Sequence, residues 1–366
     1  MRSKIKKMII FLIQKRNTRR RYKKELRDLK RKKFLYESVD LSPKQEKEIQ
    51  EYFLKNLGKK FSDKWHRLYQ SYTGNYDKKY FPESLYSTKL EAKLNPIKIA
   101  SFLEDKSLIE ILYKNVENLT IPETIVVNCS GIYYNSKREI ISYEEAIKLF
   151  NKTDDIVFKT TIDSCSGRSI NIYKFNNGID QKTKISIAEV FDKYQENFIA
   201  QKCITNCEEI KKLHPNSLNT FRIMTYTIDG KMYHAPLLLR IGRGGNKVDN
   251  AHAGGMFIGV SDDGKLKKFA YTEYGEKFDI HPDTKIKFEN YQIPMVKEMI
   301  KTAYICHGLT PHLKMISWDF AIGKDNKIVL IEINTTGQSI WLSQIPHGCG
   351  IFKENTEYMY NLIKKR

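Results

Sequence analysis

Two carboxylates and one amide lie on strand-like segments near the C-terminal end of the sequence. In KIVLIEIN, Glu332 and Asn334 are two positions apart, so on a β-strand both point to the same face. The alternation groups Leu330 with these polar residues and predicts an opposite face formed by Val329, Ile331 and Ile333. Polar side chains on a strand otherwise suited to a core indicate a site that uses them.

The same strand is expected to pair with SWDFAI, because the intervening GKDNK carries the Gly, Asp and Asn of a turn. If Asp325 and Asn326 form a two-residue loop, Asp319 lies directly opposite Glu332. Like charges on facing positions destabilise a hairpin unless a cation neutralises them. Carboxylate and amide oxygens are the ligands that Mg²⁺ or Mn²⁺ prefers, so Asp319, Glu332 and Asn334 are candidate metal ligands. An exposed hairpin with solvated acids is the alternative.

A short polar loop between two strands is a candidate phosphate site. The strand DIVFKTT contains Lys159, and the loop that follows includes Ser166 and Gly167. Backbone amides of such a loop can cover anionic oxygens, and a lysine at the end of a strand can reach them as a point charge. Taken alone, the pattern also fits an ordinary β-hairpin.

Positive charge is concentrated at the N-terminus. The formal net charge is +20 over 366 residues, but residues 1–33 hold 16 Lys and Arg against Glu25 and Asp28. The weakly charged remainder gives no reason to expect a nucleic-acid partner. Two interpretations of the basic segment remain open: a peripheral helix on anionic lipid, or a solvated helix that aids solubility or packs on the main domain.

The length of the chain and its cysteines limit the number of domains and the cellular compartment that can be expected. A chain of 366 residues exceeds one ordinary core, so two or three domains are expected. The apolar run MIIFLI (8–13) is too short to span a bilayer or to form a usual signal-peptide core. The six cysteines are dispersed without a secretory signal, which favours a reducing cytoplasm.

The elements expected along the chain predict three regions. Residues 1–75 are expected to form a basic helical region, 76–200 an N-terminal region with a small lobe, and 201–366 a C-terminal lobe with the metal site. Strands interleaved with helices predict an α/β (α+β) fold of two lobes joined near residue 200. A helix is expected from the cap Ser42 to Gly58, and IKIASFLEDKSLIEILYKN is expected to be helical throughout.

The order of the motifs resembles the ATP-grasp superfamily. The resemblance covers roughly residues 98–345 and follows DK, IPETI, VFK with its small-residue loop, FIAQKCI, a strand arginine and D…E-x-N. Within it, HPNSLNTFRI, LLLRIGRGGNKVDNAHAGG and WDFAIGKDNKIVLIEINTTGQ are most similar to the sugar-transfer-associated ATP-grasp family, which is named for surface-polysaccharide biosynthesis. This resemblance implies an ATP-grasp fold whose two lobes sandwich ATP, here preceded by a basic helical arm.

The resemblance also implies nucleotide contacts. Lys106 and Lys159 match the two lysines that contact the α- and β-phosphates, and Ser166 and Gly167 belong to the mobile loop 163–169.

In the strand AQKCI, Gln201 stands where relatives often have an acid that accepts a hydrogen bond from the adenine amino group. The backbones of Lys202 and Ile204 would contact the edge of the adenine ring. The ribose-binding residue stays open between Glu208, Glu209 and Asn219.

The implied substrate side uses arginines. Arg240 and Asn250 match an arginine and an asparagine of peptide-ligase relatives, and Arg222 is expected to face the same cleft. Many relatives have an arginine two residues before the first metal aspartate, where this chain has Ser317. The role of stabilising an oxyanion would therefore fall to Arg240 or Arg222. The resemblance implies the same metal ligands, Asp319, Glu332 and Asn334, with Glu332 able to bridge two Mg²⁺.

The implied activity is an ADP-forming ligation of a carboxylate to an amine or a thiol through an acylphosphate, with ATP and Mg²⁺ (or Mn²⁺). The expected partners are a small-molecule or glycan-precursor carboxylate and an amine, and the expected location is the cytoplasm, with peripheral contact to the inner membrane face through residues 1–33. Phosphorylation of a sugar hydroxyl and a non-catalytic ATP sensor or scaffold are the alternatives. Intact lysines and metal ligands favour an enzyme.

Overall fold

The computed structural model describes residues 2–150, 155–162, 170–245, 249 and 254–364. Its α-helices are α1 (Arg2–Arg31), α2 (Lys33–Glu37), α3 (Pro43–Leu57), α4 (Lys64–Thr73), α5 (Glu83–Leu85), α6 (Glu91–Leu94), α7 (Ile97–Leu103), α8 (Leu108–Tyr113), α9 (Tyr143–Lys148), α10 (Ile187–Tyr194), α11 (Glu208–Leu213), α12 (Val296–Gly308), α13 (Trp341–Gln344) and α14 (Thr356–Lys364). A π-helix joins α5 to α6 over Tyr86–Leu90, and a 3₁₀-helix spans Lys353–Asn355.

The strands are β1 (Leu119–Thr120), β2 (Thr124–Cys129), β3 (Ile132–Asn135), β4 (Ile140–Ile141), β5 (Ile156–Thr160), β6 (Asn171–Tyr173), β7 (Phe175–Asn176), β8 (Ile179–Asp180), β9 (Phe198–Lys202), β10 (Thr220–Ile228), β11 (Lys231–His234), β12 (Leu237–Ile241), β13 (Met256–Val260), β14 (Leu266–Tyr271), β15 (Lys277–Phe278), β16 (Met315–Ile322) and β17 (Ile328–Asn334). The α/β fold class expected from the sequence is confirmed.

The larger sheet has the order β1-β17-β16-β10-β12-β13-β14-β15, with β11 paired to β10. One face is apolar and is covered by α7, α8, α11 and α12, whose buried side chains join those of the sheet in a single hydrophobic cluster. On the other face, one end carries charged residues. The opposite end of that face packs against the N-terminal helices through Met224, Tyr226 and Met315. The charged end is therefore the part of this face on which a ligand could bind.

The smaller sheet has the order β4-β3-β2-β9-β5-β6. Helices α9 and α10 cover one face through a cluster that includes Phe158, Phe198 and Ala200. Because paired residues of antiparallel strands share a face, Lys159, which pairs with Ile199, and Gln201 lie on the opposite face. The boundary predicted at 200/201 falls inside β9, which belongs wholly to this sheet. The three-region division stays a prediction.

Caps and turns explain several element boundaries. Ser42 accepts a hydrogen bond from Gln45 N–H, the Gln45 side chain accepts one from Ser42 N–H, and Gly58 ends α3 at φ 73°, as predicted. The same reciprocal cap starts α9 at Ser142. Asp229 and Gly230 both have positive φ and connect β10 to β11 in a two-residue hairpin turn, which an Asp-Gly pair favours.

The long helix predicted over residues 97–115 is wrong, because the chain breaks between α7 and α8. Helix α7 ends at Leu103, and the Asp105 side chain accepts a hydrogen bond from Ser107 N–H. The side chain of Glu104 accepts hydrogen bonds from the N–H and hydroxyl groups of Thr336. Short polar side chains compete with helical hydrogen bonding in this way. The break places Lys106 in a turn, where its N–H donates to Thr161 O of the smaller sheet.

In the hairpin of β16 and β17, Asp319 pairs with Glu332 as predicted, but the turn and the register between them differ from the prediction. The turn is one residue longer than expected, because Gly323 N–H donates to Lys327 O and Asn326 adopts φ 56°. A bulge then shifts the register, since Phe320 pairs with Leu330 while Asp319 pairs with Glu332. The extra residue, Ile331, compensates for the longer turn.

The bulge also changes the faces of β17. The predicted grouping of Leu330 with Glu332 is wrong, because Leu330 joins Ile333 in the hydrophobic cluster of the opposite face. One extra residue in a strand reverses the alternation beyond it, so positions three apart then point the same way. Glu332 and Asn334 remain on a common face, and both are only half-buried.

The N-terminal helices are part of the folded body. Residues of α3 and the segment 81–94 share one cluster with β10, β16 and α14, and residues of α2 and α4 share another with Leu238 and Trp341. The interpretation that the end of the basic segment packs on the main domain is supported from Arg21 onward, where Arg21 pairs with Glu91 at 2.9 Å. Among the described residues, no helix combines the length and apolar character needed to cross a bilayer.

Asn95 fixes both strands of the hairpin to the body, and its removal is expected to be costly. Its side-chain amide donates to Met315 O and Thr335 O, each at 2.6 Å, and its oxygen accepts from the N–H groups of Lys314 and Met315. Asn95→Ala leaves several buried backbone groups with fewer partners, so we expect the free energy of unfolding to fall by about 3 kcal/mol in denaturant titration.

Asn56→Ala is the matched control for Asn95→Ala. Asn56 is equally buried, but its amide makes a single hydrogen bond, to Tyr52 O. We expect a loss of about 1 kcal/mol for this change. Equal losses for the two variants would show that Asn95 does not hold the hairpin.

Candidate active site

The centre of the charged face is a buried carboxylate held by two guanidinium groups. Arg222, Asp319 and Glu332 occupy facing positions on β10, β16 and β17, so they form one row across three strands. Arg222 donates two hydrogen bonds to Asp319, from Nε at 2.8 Å and Nη2 at 2.7 Å, and Arg240 donates a third at 3.1 Å. Two-pronged pairing of this kind fixes the orientation of a guanidinium as well as its charge.

These contacts determine how the groups ionise. Burial opposes ionisation of Asp319, but Arg222 and Arg240 hold the pKa of its carboxyl group below the usual range. Burial alone would lower the pKa of Arg240, yet Asp249, Asp319 and Glu332 raise it above the ordinary value. Asp319 is therefore a carboxylate and Arg240 a cation at neutral pH.

Side-chain cations lie beside both facing carboxylates. Lys106 Nζ lies 3.0 Å from Glu332 Oε1, while the two arginines neutralise Asp319. Lys106 is only 8% exposed, so it is not a solvated surface lysine. Its position depends on the break between α7 and α8.

Lys159 is a second buried lysine close to this group. Burial and the neighbouring charge of Lys106 together lower the pKa of Lys159 to about 8, although Glu332 opposes both effects. A cation near half-protonation in the absence of ligand gains stability when an anion binds beside it. Lys106 and Lys159 therefore both face Glu332, as two lysines that contact one polyphosphate would.

The residues proposed for the adenine site lie at the end of β9. Gln201 is buried, and its amide donates to Pro122 O and Thr124 Oγ1 at 3.2 and 3.3 Å. The N–H of Lys202 donates to Glu123 O at 2.9 Å, and Ile204 follows the strand in a half-buried position. These bonds hold the connection between β2 and β9. The adenine contacts assigned to Gln201, Lys202 and Ile204 stay predictions.

Three predicted site residues, Ser166, Gly167 and Asn250, lie outside the described residues. Of the candidates for the ribose contact, Asn219 is excluded, because its side chain bonds the backbone of Ile210, His214 and Gly242. Trp341 closes the core against Phe257 and lies under the ammonium group of Lys32, 4.2 Å from the ring centroid. Trp341 is therefore a core residue in this structure.

The residues proposed as metal ligands suit a hard cation. Their donor atoms are carboxylate and amide oxygens, and Glu332 is the more exposed of the two acids. The buried amide atom of Asn334 that is placed as Nδ2 makes no hydrogen bond. Rotation of an amide exchanges its nitrogen and oxygen, so this position can offer an oxygen ligand. Among the described residues, no group of three or more His, Cys, Asp or Glu could hold a metal.

Sequence reasoning missed two residues that orient Arg240. Thr220 Oγ1 accepts hydrogen bonds from Arg240 Nη2 at 2.6 Å and Nε at 3.0 Å, and Asp249 accepts one from Thr220 N–H at 2.9 Å. Burial raises the pKa of Asp249 in spite of Arg240 nearby. The polar pair Thr220 and Arg222, two apart on a strand, was the available signal for Thr220. Asp249 lies in a loop that carries no periodic signal.

Gln338 and Glu91 connect this site to the N-terminal helices. Ser317, two residues before Asp319, donates to Gln338 Oε1 at 2.6 Å, so Ser317 is structural. Gln338 N–H donates to Glu91 at 2.9 Å, and the other oxygen of Glu91 accepts from Arg21 of α1 at 2.9 Å. Burial raises the pKa of Glu91 to about 7, and Arg21 opposes this rise.

The structure therefore has two main sheets, with Glu332 close to two lysines and Asp319 paired with two arginines. The chain belongs to the family described as sugar-transfer associated ATP-grasp, whose pattern matches residues 85–358. This match confirms the family resemblance drawn from the motifs. A comparison with curated proteins gives no match.

Solved structures with a similar fold include a ligase, a carboxylase and a synthetase. The VanG D-Ala:D-Ser ligase from Enterococcus faecalis is 14% identical, covers 75% of this chain and 62% of its own, and has a TM-score of 0.40. The biotin carboxylase from Campylobacter jejuni is 12% identical over 73% and 47% of the chains, with a TM-score of 0.42. The N5-carboxyaminoimidazole synthetase from Staphylococcus aureus is 13% identical over 64% and 45%, with a TM-score of 0.38. This chain thus spans about half the length of such structures.

The pKa of Lys159 predicts how nucleotide affinity depends on pH. Because the pKa is about 8 without ligand, Lys159 is mostly charged at pH 7 and mostly neutral at pH 9. A bound polyphosphate favours the charged form, so we expect the Kd for ATP, measured by calorimetry without Mg²⁺, to rise about tenfold between these pH values.

Lys159→Arg is the control, because arginine stays charged throughout this range. Its Kd should change much less between pH 7 and pH 9. A wild-type Kd that does not depend on pH, or one that changes as much in the variant, would show that Lys159 does not contact the nucleotide.

The two hydrogen bonds between Arg222 and Asp319 predict that stability can be restored to a variant without restoring its activity. Arg222→Met leaves Asp319 buried with one cation fewer, so we expect a loss of about 3 kcal/mol in the free energy of unfolding. The double variant Arg222→Met/Asp319→Leu removes the uncompensated charge and should recover most of that stability, while both variants stay inactive. A double variant less stable than the single one would contradict this account of the pair.

Proposed function

We propose that this protein is an ATP- and Mg²⁺-dependent ligase that joins a carboxylate to an amine, or to a thiol, with release of ADP. The observation that carries the proposal is the ion pair of Lys106 with Glu332, with the buried Lys159 close enough to interact electrostatically with both, and with Arg222 and Arg240 paired to the neighbouring Asp319. Four cations around one buried and one half-buried carboxylate suit a reaction in which negative charge moves between a polyphosphate and a carboxylate. Membership of an ATP-grasp family supports the nucleotide.

The proposed reaction has two steps. A substrate carboxylate oxygen attacks the γ-phosphorus of ATP, the bond from that phosphorus to the bridging oxygen breaks, and ADP leaves with the acylphosphate as product. An amine nitrogen then attacks the acyl carbon, phosphate leaves with the bonding electrons, and the nitrogen loses a proton to give the amide.

The arginines supply fixed positive charge for these steps. Asp319 and Thr220 hold the Arg240 guanidinium, so it can meet developing negative charge without having to reorganise. Arg222 is held to Asp319 in the same way. Lys106 and Lys159 would bind the phosphates and release Glu332 from its present ion pair. A dry cleft between the sheets would keep water from the acylphosphate.

Mg²⁺ would be held by Glu332 and Asn334, with Asp319 as the third oxygen donor. When bound, the ion would reduce the negative charge on the transferring phosphoryl group and its leaving oxygen. Three of the lone-pair positions of Asp319 accept from Arg222 and Arg240, so Glu332 is the more accessible ligand.

The substrate class is proposed from the family alone. Sugar-transfer association fits a carboxylate or amine on a cell-surface polysaccharide precursor, which would be modified in the cytoplasm at the inner face of the membrane. Within enzymes, phosphorylation of a sugar hydroxyl is the second candidate. A sensor or scaffold without chemistry would use the same ATP site.

The test measures ADP release from ATP and Mg²⁺ with hydroxylamine, against pooled uronic acids and amino acids. Hydroxylamine traps an acylphosphate as a hydroxamate, so a carboxylate-dependent hydroxamate is the expected product. Glu332→Gln should abolish it, because the change removes a negative ligand and the partner of Lys106. Glu298→Gln, the same chemical change at an exposed position of α12, should leave it intact.

The alternatives give different products in the same assay. ADP without hydroxamate in the presence of sugars would establish the kinase and overturn the ligase. Bound ATP with no turnover in any pool, including pools of lipid-linked sugars, would establish the sensor.

A further inference from the structure

Helix α1 has one side that packs on the body of the protein. Along it, Thr18, Arg21, Glu25 and Leu29 recur every three or four residues and are buried or half-buried. Arg21 pairs with Glu91, and Leu29 joins the cluster of α4 and β12. These contacts fix the rotation of the helix about its axis and therefore decide which side faces outward.

The outward side is a stripe of exposed residues with the same helical repeat. Leu12, Arg16, Arg19, Lys23 and Arg27 are spaced by four, three, four and four positions, and each is exposed. Leu12 is 53% exposed, so nothing in the described body covers it. We call these five residues the outward stripe.

Charge is divided between the two sides of the helix. Glu25 and Asp28, the only acidic residues of α1, lie on the half-buried side that packs on the body. The basic residues of the outward stripe therefore have no acidic residue of their own helix beside them. A stripe of this kind attracts an extended anionic surface.

The sequence continues the repeat of the outward stripe with apolar residues. Ile5 and Ile9 stand seven and three positions before Leu12, within the helical residues of α1. The outward stripe itself begins with the apolar Leu12 and continues with four basic residues. An aliphatic residue can insert among acyl chains while the cations that follow bind anionic headgroups. A polynucleotide would bind the cations through its phosphates but would not bury the aliphatic residue.

We propose that the outward stripe of α1 docks on an anionic lipid surface, with the body held against the membrane through the opposite side of the helix. The docking does not depend on the proposed ligase chemistry, and each can fail without the other. It places the charged face of the larger sheet at a fixed distance from the bilayer, because Arg21, Glu91 and Gln338 link α1 to that sheet.

The test is sedimentation of the full chain with vesicles of phosphatidylcholine, with and without phosphatidylglycerol, at 0.1 and 0.5 M salt. We expect binding to the anionic vesicles that weakens at high salt, since screening shortens the reach of the charges. Arg16, Arg19, Lys23 and Arg27 all changed to Gln should lower the partition coefficient at least about a hundredfold. Leu12→Gln should lower it less and should reduce binding that persists at high salt.

The matched control changes Lys98, Lys114, Lys137 and Lys148 to Gln, which removes the same charge from exposed positions elsewhere. It should bind almost as the wild type does. Equal losses in the two quadruple variants would overturn the proposal, as would a wild-type chain that ignores anionic vesicles. Tighter binding to a fluorescent oligonucleotide than to vesicles, lost in the stripe variant, would assign the stripe to nucleic acid and also overturn it.

Discussion

The buried carboxylate of Asp319 is the constraint on which the site depends. A carboxylate that is 1% exposed is stable only with cations beside it, and Arg222 and Arg240 supply them from two neighbouring strands. The pairing therefore sets the side-chain positions of β10 and β12 as well as those of β16. It also keeps two guanidinium groups oriented in the absence of ligand. The lysines, by contrast, are held by Glu332 and by burial, so they are the cations that a bound anion can recruit.

The hairpin shows how much of this site could be predicted from the sequence. Alternation and turn residues predicted that Asp319 faces Glu332, and the structure confirms the pairing. The assumed turn was one residue too short, and the bulge at Ile331 restored the register by an equal amount. Periodicity cannot show a bulge, because the extra residue is apolar like its neighbours. The side chains that lie closest to the turn, beginning with Leu330, were consequently assigned to the wrong face.

Other features depend on contacts between distant segments, which a local pattern does not contain. The helix predicted over residues 97–115 is interrupted between Leu103 and Leu108, and beside this interruption Glu104 accepts a hydrogen bond from Thr336, more than two hundred positions away. The neutralisation of Asp319 by Arg222 and Arg240 likewise requires three strands to be in register. Capped helices such as α3 and α9 were predictable, because Ser42 and Ser142 act within four residues. The chemistry of the site could be predicted from residue types, but its charge balance required the fold.

One face of the larger sheet serves two purposes, and this links the N-terminal helices to the chemistry. At one end of the face are Asp319 and the arginines; at the other, the N-terminal helices bury Met224, Tyr226 and Met315. Gln338 lies between the ends, bonded to Ser317 on one side and to Glu91 on the other. Because Glu91 also receives Arg21, the first helix is joined to the strand of Asp319 by three consecutive polar contacts. The basic helix is therefore joined by side-chain contacts to the strand that carries the buried carboxylate of the site.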